Sequence, residues 1–245
     1  MNGPLEYVSD YQELKSAYPK GKPVLHSNLP AVIMHEVRNS LTVTRGFIQL
    51  LQPQFVKVGK DEYARVILME LDKACEMLQD FMAYSKPRSP ERTIMDVSDL
   101  FKELQLLAKS QALTKGCRIE FMEEIEESME ISIDLKQIKQ VLLNMIKNAT
   151  EAIDELHQER CGLIRISAER KGHFVNLIIC DNGSGISAEA LVRLFEPFFT
   201  TKERGTGLGL SVSRQIINDH GGTIKASSTK GKGTVFEISL PLAIN

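Results

Sequence analysis

Between residues 28 and 86 the apolar side chains fall into two runs with one rhythm, and that repetition limits what the chain can fold into. Ile33, Val37, Leu41, Thr44, Ile48 and Leu51 are spaced 4, 4, 3, 4, 3, and Tyr63, Ile67, Leu71, Ala74, Leu78 and Phe81 repeat the series. Such spacing lines one stripe of an α-helix. Asn28 is placed to cap the first helix, with Pro30 in its first turn. Pro53 and the segment KVGKD (57–61) break the pattern. Two helices joined by a short break make an antiparallel hairpin. A lone hairpin cannot bury both faces of its seam, so two copies are expected to pair as a four-helix bundle, a homodimer.

The hairpin occupies only part of the chain. Residues 1–27 are a polar lead-in, with a short helix expected around YQELKSAY, and the proline-bearing stretch at 87–92 is a linker. From 93 to 245 strand-like and helix-like segments mix without regular β-α-β alternation. TIMDVSDL reads as a strand entering a helix capped near Ser98, and CRIEFMEE and MEISID read as strands. Asp134 with Gln137 has the spacing of a capping box opening a helix to about residue 156. LIRISAERK and FVNLIICD form a β-hairpin about Lys171-Gly172-His173. A further helix runs from Leu210 to about His220, and TIKASST and GTVFEISLPL are the last strands. The fold class is therefore multidomain: α, then an α+β sandwich of one sheet with helices on one face.

Composition excludes some roles. A net charge of −2 gives no basic field for nucleic acid or anionic lipid. Four scattered cysteines without a C-x-x-C pair argue against a zinc site and for a reducing compartment. No apolar run reaches the ~20 residues of a membrane helix.

Nine of the 16 glycines lie between 183 and 233, clustered in DNGSG (181–185) and GTGLGL (205–210). Glycine lets backbone amides approach an anion, and GTGLGL opens a helix whose free N–H groups suit a phosphate. It is neither a G-x-G-x-x-G nor a P-loop, and alone it reads as an ordinary turn and cap. On the helix after Asp134, Asn144 and Asn148 stand four apart on one face beside Lys147, amid leucine and isoleucine. Buried amides without partners cost ~1–3 kcal/mol each. Facing a cavity, their oxygens suit Mg²⁺ shared with phosphates. The bland alternative is one capping and one exposed asparagine.

These pieces together resemble the bacterial sensor histidine kinases. HEVRNSLT (35–42) resembles the H-box, NMIKNA (144–149) the N-box, DNGSGI (181–186) the first glycine box, LFEPFFTTK (194–202) the F-box and GTGLGL the second glycine box. All five stand in family order over about residues 28–245, and the form is most similar to sporulation sensor kinases that feed a phosphorelay. The resemblance implies a dimerising phosphotransfer hairpin (28–86) and a Bergerat-type α/β sandwich that binds ATP (93–245). It makes His35 the phosphoacceptor, Glu36 the acid that orients or deprotonates it, and Asn39 the position tied to phosphatase activity. It makes Asn148 the Mg²⁺ ligand, with Asn144 beside it and Lys147 a phosphate contact. Asp181 would read the adenine amino group, Gly183 and Gly185 pass close to the base, and Thr234 completes the pocket. Phe195, Phe198 and Lys202 fall on the lid side, and Gly205, Gly207, Leu208 and Gly209 at the phosphate end. The implied cofactors are ATP and Mg²⁺, and the implied partner is the receiver domain of a response regulator. A small inhibitor protein at the hairpin is also allowed. The implied location is the cytoplasmic portion of a membrane-bound sensor kinase. One departure stands out: Ser40 occupies a position where many members have proline. Its hydroxyl can bond back one turn, and a straighter helix is expected.

The seam gives the histidine a direction. Two residues from Ile33 and from Val37, His35 lies about 200° around the helix from each, away from the packed stripe. An imidazole near neutral pH is partly deprotonated and nucleophilic, and Glu36 is placed to hold the proton on the other nitrogen. An isolated histidine would more simply be an exposed surface residue; the other four motifs outweigh that. Two rival functions share the ATP-binding motifs: a Bergerat-fold ATPase that needs no histidine, and a nucleotide-binding scaffold without phosphotransfer.

Overall fold

The structure, a computed structural model, describes residues 29–85, 88–113, 116–122, 128–154, 161–202 and 205–243. The expected helix in the lead-in and the cap at Asn28 lie outside them, as do the side chains of residues 29–33 and of His35. The chain divides into two compact units, Met1–Leu71 and Asp72–Asn245.

The first unit holds helix α1, Leu29–Lys57, and the start of helix α2, Asp61–Ser85. Pro53 does not end α1, contrary to the sequence expectation; the helix runs four residues further. Its missing N–H and ring affect only the carbonyl one turn back, at exposed positions where water can serve that carbonyl. The stop comes at Gly59, with φ 67°. There Gly59 N donates to Val56 O at 3.0 Å and Lys60 N to Phe55 O at 2.8 Å, a Schellman motif. Ser40 Oγ donates to Glu36 O at 3.0 Å, the back-bond expected where proline is missing. Among the described residues of this unit only Ala64 is buried. Seam residues Leu41 and Ile48 are half-buried, while Val37, Leu51, Tyr63 and Ile67 are exposed.

The second unit is built on strands β1 (Thr93–Asp96), β2 (Arg118–Met122), β3 (Glu130–Ile133), β4 (Leu163–Lys171), β5 (Phe174–Asp181), β6 (Thr223–Thr229) and β7 (Gly233–Pro241). Its helices after α2 are α3 (Val97–Leu113), α4 (Leu135–Asp154), α5 (Ala188–Arg193) and α6 (Gly209–Asp219). The main sheet has order β2-β4-β5-β7-β6; β2 and β4 are parallel and every other neighbour is antiparallel. The strands do not all join one sheet, as the sequence implied. β1 and β3 form a separate two-stranded antiparallel ribbon. Helices α3, α4 and α6 contribute to one continuous core with the sheet.

Two caps differ from the sequence reading. The cap of α3 is Asp96, whose Oδ1 accepts from Ser98 N at 2.8 Å, rather than Ser98 itself. Asp134 does cap α4, accepting from Lys136 N at 3.0 Å and Gln137 N at 3.2 Å. The return half of the box is made by another residue: Asp134 N donates to His220 Nε2 at 2.9 Å. His220, buried at the end of α6, completes this tie with Nδ1 2.7 Å from Ile216 O. Gln137 turns elsewhere, to Arg88 O at 2.9 Å. Burial works to raise the Asp134 carboxyl, but the amides of Glu91, Gln137 and Lys136 and the charge of Arg88 outweigh it and hold it below the usual range.

Candidate functional site

Helix α4 is two-sided. Ile138, Leu142, Met145, Ile146, Ala149 and Ile153 bury one face in the core. Asn144, Lys147, Asn148 and Glu151 form a partly exposed stripe at i, i+3, i+4 and i+7. The amides of this stripe have partners. Asn144 Nδ2 donates to Ser213 Oγ on α6 at 3.0 Å. Asn148 Oδ1 accepts from Lys202 Nζ at 3.1 Å, and the same ammonium donates to Glu151 Oε2. Lys147 Nζ donates to Glu76 Oε2 on α2 at 2.7 Å. Burial alone would lower the Lys147 ammonium, but the Glu76 carboxylate, helped by Glu151 and Asp80, raises it above its usual value.

Sheet register assembles the second part. β5 and β7 pair so that Asp181 stands opposite Thr234, 53 residues later. Asp181 Oδ1 accepts from Gly183 N at 2.8 Å and from Thr234 N at 3.2 Å. Both bonds fall on one oxygen, so among the described residues the other is left to accept from a ligand donor. Burial pushes the Asp181 carboxyl up; the two amides and the positive charge of Lys202 offset it in part. Beside it Ser228 Oγ bridges Gly233 O at 2.7 Å and Thr234 Oγ1 at 3.1 Å, and accepts from Ile186 N at 2.8 Å. A buried carboxylate with one oxygen pinned and one open can read an N–H donor on a flat ring.

The glycines shape the walls. Gly185 has φ 66°, and a Cβ there would meet Thr229 O at 2.2 Å. Gly207 has φ 69°, and a Cβ there would stand 2.4 Å from the carbonyl carbon of Phe198. Gly183 N is one of the two amides on Asp181, Gly205 N donates to Lys202 O at 3.2 Å, and Gly209 begins α6. Leu208 is the N-cap of α6 and no side chain caps it. The first N–H groups of this 11-residue helix therefore suit an anion.

Around this loop, Phe195 packs against the core with the Arg214 guanidinium 5.6 Å from its ring. Phe198, at φ 65°, meets Tyr84 edge-on at 6.1 Å. Thr206 Oγ1 donates to Asp80 Oδ2 at 2.9 Å.

The structure gives three separate hydrogen-bonded groups, Asn144 with Ser213, Asn148 with Lys202 and Asp181 with Thr234, whereas Lys147 is held by an acid of α2. Glu36 and Asn39 are exposed on α1. Sequence reading missed Glu151, Ser213 and Ser228. Glu151 was findable, because it lies on the asparagine stripe seven residues past Asn144; the two serines carry no local signal. A cavity of about 460 Å³ opens elsewhere, at the start of α4, lined by residues including Arg88, Glu91, Gln137 and Gln215. Donor chemistry, not cavity size, marks the site.

The family described as histidine kinase-, DNA gyrase B- and HSP90-like ATPases matches residues 133–244. Sporulation kinase B of Bacillus subtilis (strain 168) is 39% identical over 222 residues, covering 90% of this chain and 50% of that protein. The chain thus spans half the length of this curated relative. The solved catalytic domain of histidine kinase ThkA is 34% identical, covering 62% of this chain and 95% of that one, with TM-score 0.54. Histidine kinase ThkA in complex with the response regulator protein TrrA covers 99% of this chain and 68% of that one, at 27% identity and TM-score 0.63.

Proposed function

This chain belongs to the bacterial sensor histidine kinases, and from that premise we propose that it transfers the terminal phosphoryl group of Mg-ATP to His35. It then passes that group to an aspartate of a response-regulator receiver domain. The observation that carries the reading is Asp181, a buried carboxylate whose Oδ1 is pinned by the amides of Gly183 and Thr234. Its other oxygen accepts the adenine amino group. The phosphates lie towards Gly205, Gly207, Leu208 and Gly209, where uncapped amides of α6 take negative charge.

The donor set fits Mg²⁺ on one observation: Asn148 Oδ1 and Glu151 Oε2 already face a cation, the Lys202 ammonium. Asn148 would hold the ion, with Asn144 beside it; bound there, Mg²⁺ neutralises phosphate charge. His35 supplies the nucleophile. As its ring nitrogen bonds to the γ-phosphorus, the bond from phosphorus to the bridging oxygen breaks and ADP leaves. Glu36 holds the proton on the opposite nitrogen. Asn39, one turn on, meets the receiver and serves any hydrolysis of its aspartyl phosphate, in which water takes the phosphoryl group and inorganic phosphate leaves.

The assembly is a homodimer. Val37, Leu51, Tyr63 and Ile67 are exposed in one copy of the stem, and a second copy buries them in a four-helix bundle. By likeness to sporulation kinase B, the role is in a sporulation phosphorelay, as the cytoplasmic portion of a membrane-bound sensor, with the stem open to a small inhibitor protein. None of the described helices is long and apolar enough to cross a membrane. Adding radiolabelled ATP and candidate receivers tests the relay. Label should appear on the chain first and move to a receiver that keeps its aspartate. ATP turnover that never labels the chain would instead favour a Bergerat-fold ATPase.

A further inference from the structure

Lys202 reaches from the glycine-rich loop to two oxygens on α4, three residues apart: Oδ1 of Asn148 at 3.1 Å and Oε2 of Glu151. An amide oxygen and a carboxylate oxygen one turn apart are a donor pair for a hard cation. Here the cation is the protein's own ammonium. The Lys202 and Glu151 side chains are 32% and 34% exposed, so the contact is half-wet and replaceable. The charge also reaches the nucleotide end, because Lys202 counters the upward push on Asp181. The same segment carries Gly205, whose amide donates to Lys202 O, and leads into Gly207 and Leu208.

We propose that Lys202 is the resident counter-ion of the Asn148–Glu151 pair in the nucleotide-free protein, a positioning residue that ties the loop to α4 and yields its oxygens when the site is loaded. The inference rests on the Mg-ATP reading above. Two like charges cannot share the Asn148 oxygen in so small a space. On loading, the ammonium must leave, and the nearest new anions are the phosphates at the same loop. Lys202 thereby couples loop release to metal loading, and it keeps the empty site from collecting divalent ions. Glu151 acts through it, as the acid that keeps the lysine in place.

The test uses the full chain without ATP and Mn²⁺ as the metal probe, with free Mn²⁺ read by electron paramagnetic resonance. Lys202→Met should bind Mn²⁺ alone about two- to fivefold more tightly than wild type, the range expected for losing one half-exposed competing charge. Lys202→Arg, which keeps the cation, should stay close to wild type. Amide exchange over residues 195–207 should quicken in the nucleotide-free Met variant and not in the Arg variant. Equal Mn²⁺ affinity in wild type and Lys202→Met, or loop exchange unmoved by the loss of the ammonium, overturns the proposal. Adenosine binding is the separate control. It should be weakened far more in Asp181→Asn than in Lys202→Met, which removes only a distant charge from the carboxylate. Adenosine that ignores Asp181 overturns the nucleotide reading, and this inference falls with it.

Discussion

The stem and the nucleotide-site unit handle their apolar residues in opposite ways. In the first unit only Ala64 is buried among the described residues, although its helices carry a regular apolar seam. In the second, a continuous buried cluster runs from Val97 to Leu240 and takes in helices and both sheets. The second unit is complete within one chain, as its caps also show: Asp96, Asp134 and His220 satisfy helix ends with groups of their own unit. The stem leaves its seam exposed in a single copy, and the homodimer proposed above would cover it. A periodic stripe specifies a helix, but it does not say where the other side of the stripe comes from.

The largest effect should come from the complete half. Leu142→Ala removes a fully buried side chain from α4 and should lower the stability of the second unit by about 2–5 kcal/mol in denaturant melts. It should leave stem pairing intact. Equal loss in both transitions would mean that the units unfold as one, and the contrast between them would be wrong.

Asp181→Asn should separate stability from binding. A carboxyl raised in the folded state holds its proton more tightly than in the unfolded chain. Its contribution favours the fold below the unfolded value and is lost as pH rises through the folded one. The amide has no such titration and can keep Oδ1 on Gly183 N and Thr234 N. Nucleotide-free stability at neutral pH should therefore hold or rise, and its pH slope through the acid range should flatten. The remaining NH₂ would face the adenine amino group, donor to donor. Affinity for adenine nucleotides, followed by fluorescence titration, should fall by about 1.5–3 kcal/mol. In wild type, affinity should weaken as acid protonates Asp181; a flat profile there would deny the carboxylate its role.

The smallest change for the single chain falls in the stem. Leu51 is 46% exposed, so Leu51→Glu should move the stability of one copy by no more than about 0.5 kcal/mol. In a paired bundle it places two charges in the seam. Sedimentation velocity should show dimer become monomer. A dimer that tolerates the glutamate would place the interface on another face of the stem.

What the sequence made legible follows the range of the interaction. The α1 and α2 stripes, the β4–β5 turn at Gly172 and the asparagine pair on α4 are written over a few residues, and they were readable. So were the glycines, because Gly185 and Gly207 need backbone angles that other residues rarely adopt. The pairing of Asp181 with Thr234 depends on sheet register across 53 residues, and only a family resemblance could anticipate it. His220 carries no local signal for its role, yet it closes the cap of α4 from 86 residues away. Pro53 misled because propensity counts the lost hydrogen bond and not the exposed place where it is lost. The resemblance makes Lys147 a phosphate contact; its ion pair with Glu76 comes from a different helix and leaves no local mark.

The destination of the phosphoryl group decides whether this chain is a histidine kinase in action. Terminally radiolabelled ATP, given to wild type and to His35→Gln, tests this directly, with nucleotide affinity measured on both. Wild type should take up a label that is lost in acid and kept in base, and His35→Gln should bind nucleotide as well as wild type and take up none. Label that survives the substitution, or that resists acid, would contradict the transfer to His35.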